Sequence, residues 1–62
     1  MQTYQVTQNL DWACPGMLIF VVDGRIIGHQ QNPANGATQS WAEDGTDWGP
    51  FDPSNYKECK LV

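Results

Sequence analysis

This chain predicts a small all-β fold in one domain, residues 1–62. The expected form is an antiparallel meander or open barrel of three to five strands, built on a hairpin over residues 17–29. Three observations lead there. Asp23-Gly24 separates two β-prone runs, and a two-residue type I′ turn needs φ > 0 at both central positions, which Asp-Gly adopts cheaply. The strand formers Val, Ile, Tyr, Phe and Trp fall in short runs divided by Gly, Pro and Asn. No stretch of useful length repeats its apolar residues at helical spacing.

The elements follow in order. Residues 3–8 alternate, with Tyr4 and Val6 on one side and Thr3, Gln5 and Thr7 on the other, the pattern of a half-buried strand. Cys14-Pro15-Gly16 places Pro and Gly at the central positions of a type II turn. The hairpin comes next. Residues 29–40 are polar and hold two turn signals, Asn32-Pro33 and Asn35-Gly36; the second turns another hairpin or sits at a loop tip. Residues 41–55, dense in Gly, Pro and Asp, read as an extended loop pinned by aromatics. Residues 56–62 read as a last strand with Cys59 and Leu61 on one face and Glu58 and Lys60 on the other.

A two-residue turn fixes the hairpin register. Val22 falls opposite Arg25, Val21 opposite Ile26, Phe20 opposite Ile27, Ile19 opposite Gly28 and Leu18 opposite His29. One face then carries Met17, Ile19, Val21 and Ile26; the other carries Leu18, Phe20, Val22 and Ile27. A strand with one wet face alternates apolar and polar residues, and this one does not. Both sides need cover. One side makes the core with Tyr4, Val6, Leu61 and Val62. The other is roofed either by the Trp-rich loop or by another molecule, a second copy or a different protein. Gly28 marks a bulge or a close approach. It leaves room for an aromatic ring, with Trp12 and Trp41 as the candidates.

Composition limits the chemistry. A chain of 62 residues buries only about 60% of its unfolded surface, so its stability is marginal without help. Seven acids against three bases, a net charge of −4, argue against a nucleic-acid binder, which needs Lys and Arg to displace counterions. The apolar run 17–22 is far shorter than the roughly 20 residues of a membrane helix. Residues 1–10 lack the basic start and apolar stretch of a secretory signal, so a soluble chain, cytoplasmic at synthesis, is expected. Cys14 and Cys59 are either free thiols or a disulfide, which on the loop-entropy model is worth about 4 kcal/mol. With His29 they make too few zinc ligands, at an unfamiliar spacing.

No cofactor, metal or catalytic residue is expected. Asp44-Gly45-Thr46-Asp47 departs from the calcium-loop template. The acids crowd one loop and do not face each other across a cleft as a glycosidase pair must. His29, the only histidine, lacks an evident nucleophile and orienting partner, although Cys14 precedes the same hairpin. The aromatics carry more information. Trp12 and Trp41 are expected in the core. Trp48 and Phe51 lie in an acid-flanked loop and are expected as partner-contact residues, since exposed aromatics dominate interface energetics. Glu43, Asp44, Asp47 and Asp52 join them as candidate contacts.

Two segments resemble a family. Phe20-Val-Val-Asp-Gly-Arg-Ile-Ile-Gly28 is similar to the strand–turn–strand opening of small bacteriophage tail-fibre-associated and other accessory proteins. Trp41-Ala-Glu-Asp-Gly-Thr-Asp-Trp48, followed by Pro50, Pro53, Tyr56 and Leu61-Val62, resembles their ending. The resemblance covers about half the chain and transfers no functional residue. It implies a phage-encoded β-module that acts by contact. The expected function is a non-enzymatic protein-interaction module docking on a virion or tail assembly, found in the host cytoplasm or the virion. The alternative is a small acidic inhibitor of a host nucleic-acid-handling or defence protein, whose residues 43–52 imitate phosphates.

Overall fold

The computed structural model describes all residues, Met1–Val62. Five strands form one open antiparallel sheet: β1 (Gln2–Val6), β2 (Leu18–Val22), β3 (Arg25–Gln30), β4 (Gln39–Trp41) and β5 (Cys59–Leu61). Their order across the sheet is β4-β3-β2-β1-β5. The first four strands are a meander; the chain then crosses the sheet and adds β5 at the far edge beside β1. No helix is long and apolar enough to cross a membrane.

The turn chemistry is as the residues dictate. Asp23 and Gly24 have φ of 52° and 74°, the two left-handed residues of a type I′ turn. The Met17 amide donates to the Cys14 carbonyl (3.2 Å) and Gly16 has φ 94°, so Cys14-Pro15-Gly16-Met17 is the type II turn. The Asn32 side chain caps a 3₁₀ turn at Pro33–Asn35, and Gly36 ends it in the left-handed region. Asn35-Gly36 therefore marks the tip of the β3–β4 loop. The polar segment Gln39–Trp41 carries no pattern that marks it as β4, and it forms by pairing with β3. The last strand is shorter than expected, because Asp52 caps a second 3₁₀ turn at Pro53–Asn55 that keeps Tyr56 out of the sheet.

The hairpin register holds for two pairs and then shifts. Val22 faces Arg25 and Val21 faces Ile26, but Phe20 faces Gly28, Ile19 faces His29 and Leu18 faces Gln30. A β-bulge at Ile27 inserts one extra residue into β3. Because side chains alternate with a period of two, that residue reverses the facing of everything after it. Gly28 joins the Phe20 face, and His29 joins the Ile19 face.

The middle of β2 is covered on both faces from within the chain, while at its ends Leu18 is half-buried and Val22 is 36% exposed. On one side Ile19 (0% exposed) and Val21 join Val6, Ala13, Met17 and Phe51 in the core, flanked by Tyr4, Leu10, Ile26, Tyr56 and Cys59. Phe51 stacks on Tyr56 (5.1 Å, 7°) and meets Tyr4 at 5.0 Å, so the crossing from β4 to β5 lies over this face. Leu61 and Val62, expected in the core, are 64% and 72% exposed; the edge strand leaves them beyond the roof. On the other side Phe20 (4% exposed) is covered by the Trp41 ring, stacked at 4.8 Å and 20°.

Gly28 makes that stack possible. A Cβ there would lie 2.5 Å from Trp41 Cε3 and 3.0 Å from the Ser40 carbonyl oxygen. The indole fills the space that a side chain would occupy, as in aromatic rescue of a strand glycine. Gly28→Ala should therefore destabilise the domain by about 1–3 kcal/mol, the cost of overpacking. In a Trp41→Leu background the cost should fall, as measured by urea denaturation of both pairs; equal costs would mean that the indole is not the obstacle.

Candidate functional site

The main concavity is a cleft of about 430 Å³ on the core side of the sheet. Its floor is apolar, from Met17, Ile19 and Ile26. Trp12 and Tyr56 form one side, with rings edge-on at 5.8 Å and 86°. Trp48 and His29 form the other, with rings 5.1 Å apart at 61°. Pro50 and Gln31 complete the lining. Trp12 and Trp48 are 44% and 50% exposed, so each turns part of its ring system to solvent.

Each aromatic is held by its own local structure. Leu10 and Ala13 pair through two backbone hydrogen bonds, leaving Asp11-Trp12 at the tip of a tight turn. Tyr56 is fixed by its stack on Phe51. His29 reaches the cleft because the bulge at Ile27 turns it to this face. Trp48 is the most firmly placed. Its amide donates to the Ile26 carbonyl (2.8 Å), and the Ile26 amide donates to Gly49 (2.9 Å). Beside it, Arg25 Nε donates to Asp47 Oδ2 (2.7 Å), while the Gly49 amide donates to Asp47 Oδ1 (2.8 Å). The Arg25 hydrogen bond, reinforced by the Gly49 amide, holds the Asp47 carboxyl below the usual aspartate range. The same hydrogen bond raises Arg25.

The six residues expected as contacts do not form one site. Trp48 stands at the cleft. Phe51, 3% exposed, is a core residue and presents no surface to a partner, a correction that follows from its packing between Tyr4 and Tyr56. Asp47 is paired with Arg25. Asp52 caps the 3₁₀ turn, and the Ser54 hydroxyl and amide hold it below the usual aspartate range. Glu43 and Asp44 are exposed on a turn bordering a second hollow, with Trp41 and Ile27. Trp12 and Trp41, expected as core, are both partly exposed, each with one side covered by a neighbouring ring.

Sequence reasoning missed Trp12, Tyr56, Pro50 and His29 as cleft residues. Gly28 flagged the bulge that reorients His29, but nothing local signals that residues 12, 48 and 56 converge. Cys14 and Cys59 are free thiols. Burial, with the nearby Glu58 charge, pushes the Cys59 thiol up. No three His, Cys, Asp or Glu side chains come together as a metal site. No family model, curated protein or solved structure matches the chain.

Two outcomes separate core from rim. Phe51→Ala should cost about 3–5 kcal/mol, a large share of a small domain's stability, whereas Trp48→Ala should cost about 1 kcal/mol or less. Urea denaturation reads both. The Asp47 contact also has a defined acid limit. Its folded-state pKa is lowered, so its stabilisation is fully present above the ordinary aspartate value of 3.8 and is lost as pH falls through the lower folded value. The Gly49 amide and Trp48 indole NMR signals should move over that acid window, and Asp47→Asn should abolish the Gly49 step.

Proposed function

We propose that this chain is a non-enzymatic protein-interaction module whose contact surface centres on the Trp12–Trp48 cleft. One observation carries the reading: two partly exposed tryptophans stand on opposite sides of an apolar floor, each fixed by backbone hydrogen bonds or ring packing. Aromatic anchors contribute most when they fill a desolvated pocket, and rings already ordered lose little entropy on binding. The complementary partner feature is an apolar or aromatic side chain of a protein, entering from solvent. In the setting that the resemblance to phage accessory proteins implies, the partner is a subunit of a virion or tail assembly, and the chain acts in the host cytoplasm or the particle.

The acidic-inhibitor alternative draws on fewer groups than the sequence offers it. Asp47 is neutralised by Arg25, and Asp52 is engaged by Ser54. Three carboxylates of the segment, Glu43, Asp44 and Asp52, have no ion-pair partner, too few for a run of phosphates spaced along a nucleic-acid backbone.

Selection of a displayed peptide library on the immobilised protein tests this. A recovered peptide is then titrated against wild type, Trp12→Ala and Trp48→Ala. Each substitution should weaken binding about tenfold or more while the melting temperature changes little. The affinity should also survive a rise from low to physiological salt, because an apolar contact is not screened. Peptides that bind both variants as well as wild type would remove the cleft from the reading. Affinity that collapses with salt would favour the acidic surface.

A further inference from the structure

The second hollow, of about 360 Å³, lies on the opposite face of the sheet, between Trp41 and the turn over residues 42–46. Trp41 supplies a flat wall. One of its ring faces is used against Phe20, and the residue remains 46% exposed. The turn is rigidly closed: the Glu43 carbonyl accepts from both the Thr46 amide (2.9 Å) and the Thr46 hydroxyl (2.6 Å). Those bonds use the Glu43 backbone. The Glu43 and Asp44 carboxylates make no ion pair or hydrogen bond, and the chain's single salt bridge is Arg25–Asp47.

The cations are elsewhere. Arg25 is committed to Asp47. Lys60 lies in β5, and Lys57 just precedes it, at the opposite edge of the sheet from β4. The hollow therefore joins an open indole surface to two uncompensated negative charges, with no basic side chain in its lining. Carboxylates alone on a turn would simply be solvated; the open aromatic wall beside them sets this place apart. A guanidinium suits that combination, because its plane stacks on an indole while its edge donates to carboxylates.

We infer that this hollow binds an arginine side chain of a protein partner, stacked on Trp41 and paired with Glu43 and Asp44. The inference takes only its class of partner, a protein, from the preceding reading. It adds a second, charge-dependent contact on the other face of the sheet.

The probe is the blocked tripeptide acetyl-Gly-Arg-Gly-amide, titrated into the protein and followed by amide and indole NMR. Its citrulline counterpart has the same shape without the charge. The arginine peptide should shift the Trp41 indole and the amides of residues 42–46 saturably, and the citrulline peptide should not. Glu43→Gln with Asp44→Asn should weaken the arginine peptide about fivefold, in line with two exposed charge-assisted contacts. That variant keeps the turn, since Thr46 bonds to the backbone of residue 43. Equal shifts with citrulline, unchanged affinity in the variant, or shifts confined to Trp12 and Trp48 would overturn the site. Tighter binding of free L-arginine than of the peptide would overturn the protein partner. Because the titration reads Trp41 and not the Trp48 cleft, its failure leaves the cleft standing, and a failed peptide selection leaves this hollow standing.

Discussion

Everything in this fold depends on covering β2 from both sides. The strand is apolar on each face, and a chain this short builds only one sheet. A domain normally buries a sheet face against a second layer of regular structure. Here connecting segments do that work. Phe51, from the crossing between β4 and β5, closes the side of Ile19 and Val21. Trp41 closes the side of Phe20 by lying across Gly28. Two aromatic side chains thus replace a missing layer over Ile19, Phe20 and Val21, and leave Val22 at the end of the strand open to water.

The bulge in β3 links that packing to the surface features. The edge partner of β3 divides at the same place: the Ala42 amide donates to the Ile27 carbonyl, the Trp48 amide donates to the Ile26 carbonyl, and residues 43–47 loop out between them. Ile26, His29 and Trp48 then border the cleft on one side of the sheet. Ile27, Trp41 and the loop border the hollow on the other. The bulged strand therefore borders a concavity on each face. Bulges at sheet edges commonly re-aim side chains in this way.

The acidic charge has an uneven distribution of duties. Asp47 and Asp52 hold backbone in place, one through Arg25 and Gly49, the other through Ser54. Glu43 and Asp44 hold nothing and face solvent. A run of acids that looks uniform along the chain is thus split between structural and open groups. The Arg25 pair takes one of the four carboxylates out of the charge open to a partner, and two of the other three stand beside Trp41.

The all-β class, the type I′ and type II turns, and the apolar character of both faces of β2 were legible because each is a local property. Turn geometry follows from Asp-Gly and Pro-Gly, and face assignment follows from a period of two. The first two hairpin pairs were readable for the same reason. The later pairs were not: a bulge is chosen by what packs on either side of the strand, here Trp41 above Gly28 and the ring of His29 against Trp48. Strand β4 was hidden because Gln39-Ser40-Trp41 becomes a strand only when β3 offers an edge to pair with. The division between Phe51, buried, and Trp48, exposed, was equally out of reach. They stand three positions apart in the same loop with similar character, and only the path of that loop across the sheet decides which ring turns inward. Sequence alone set what each short segment can do; the tertiary structure set which segments meet, because contacts between distant residues depend on a path that no local pattern encodes.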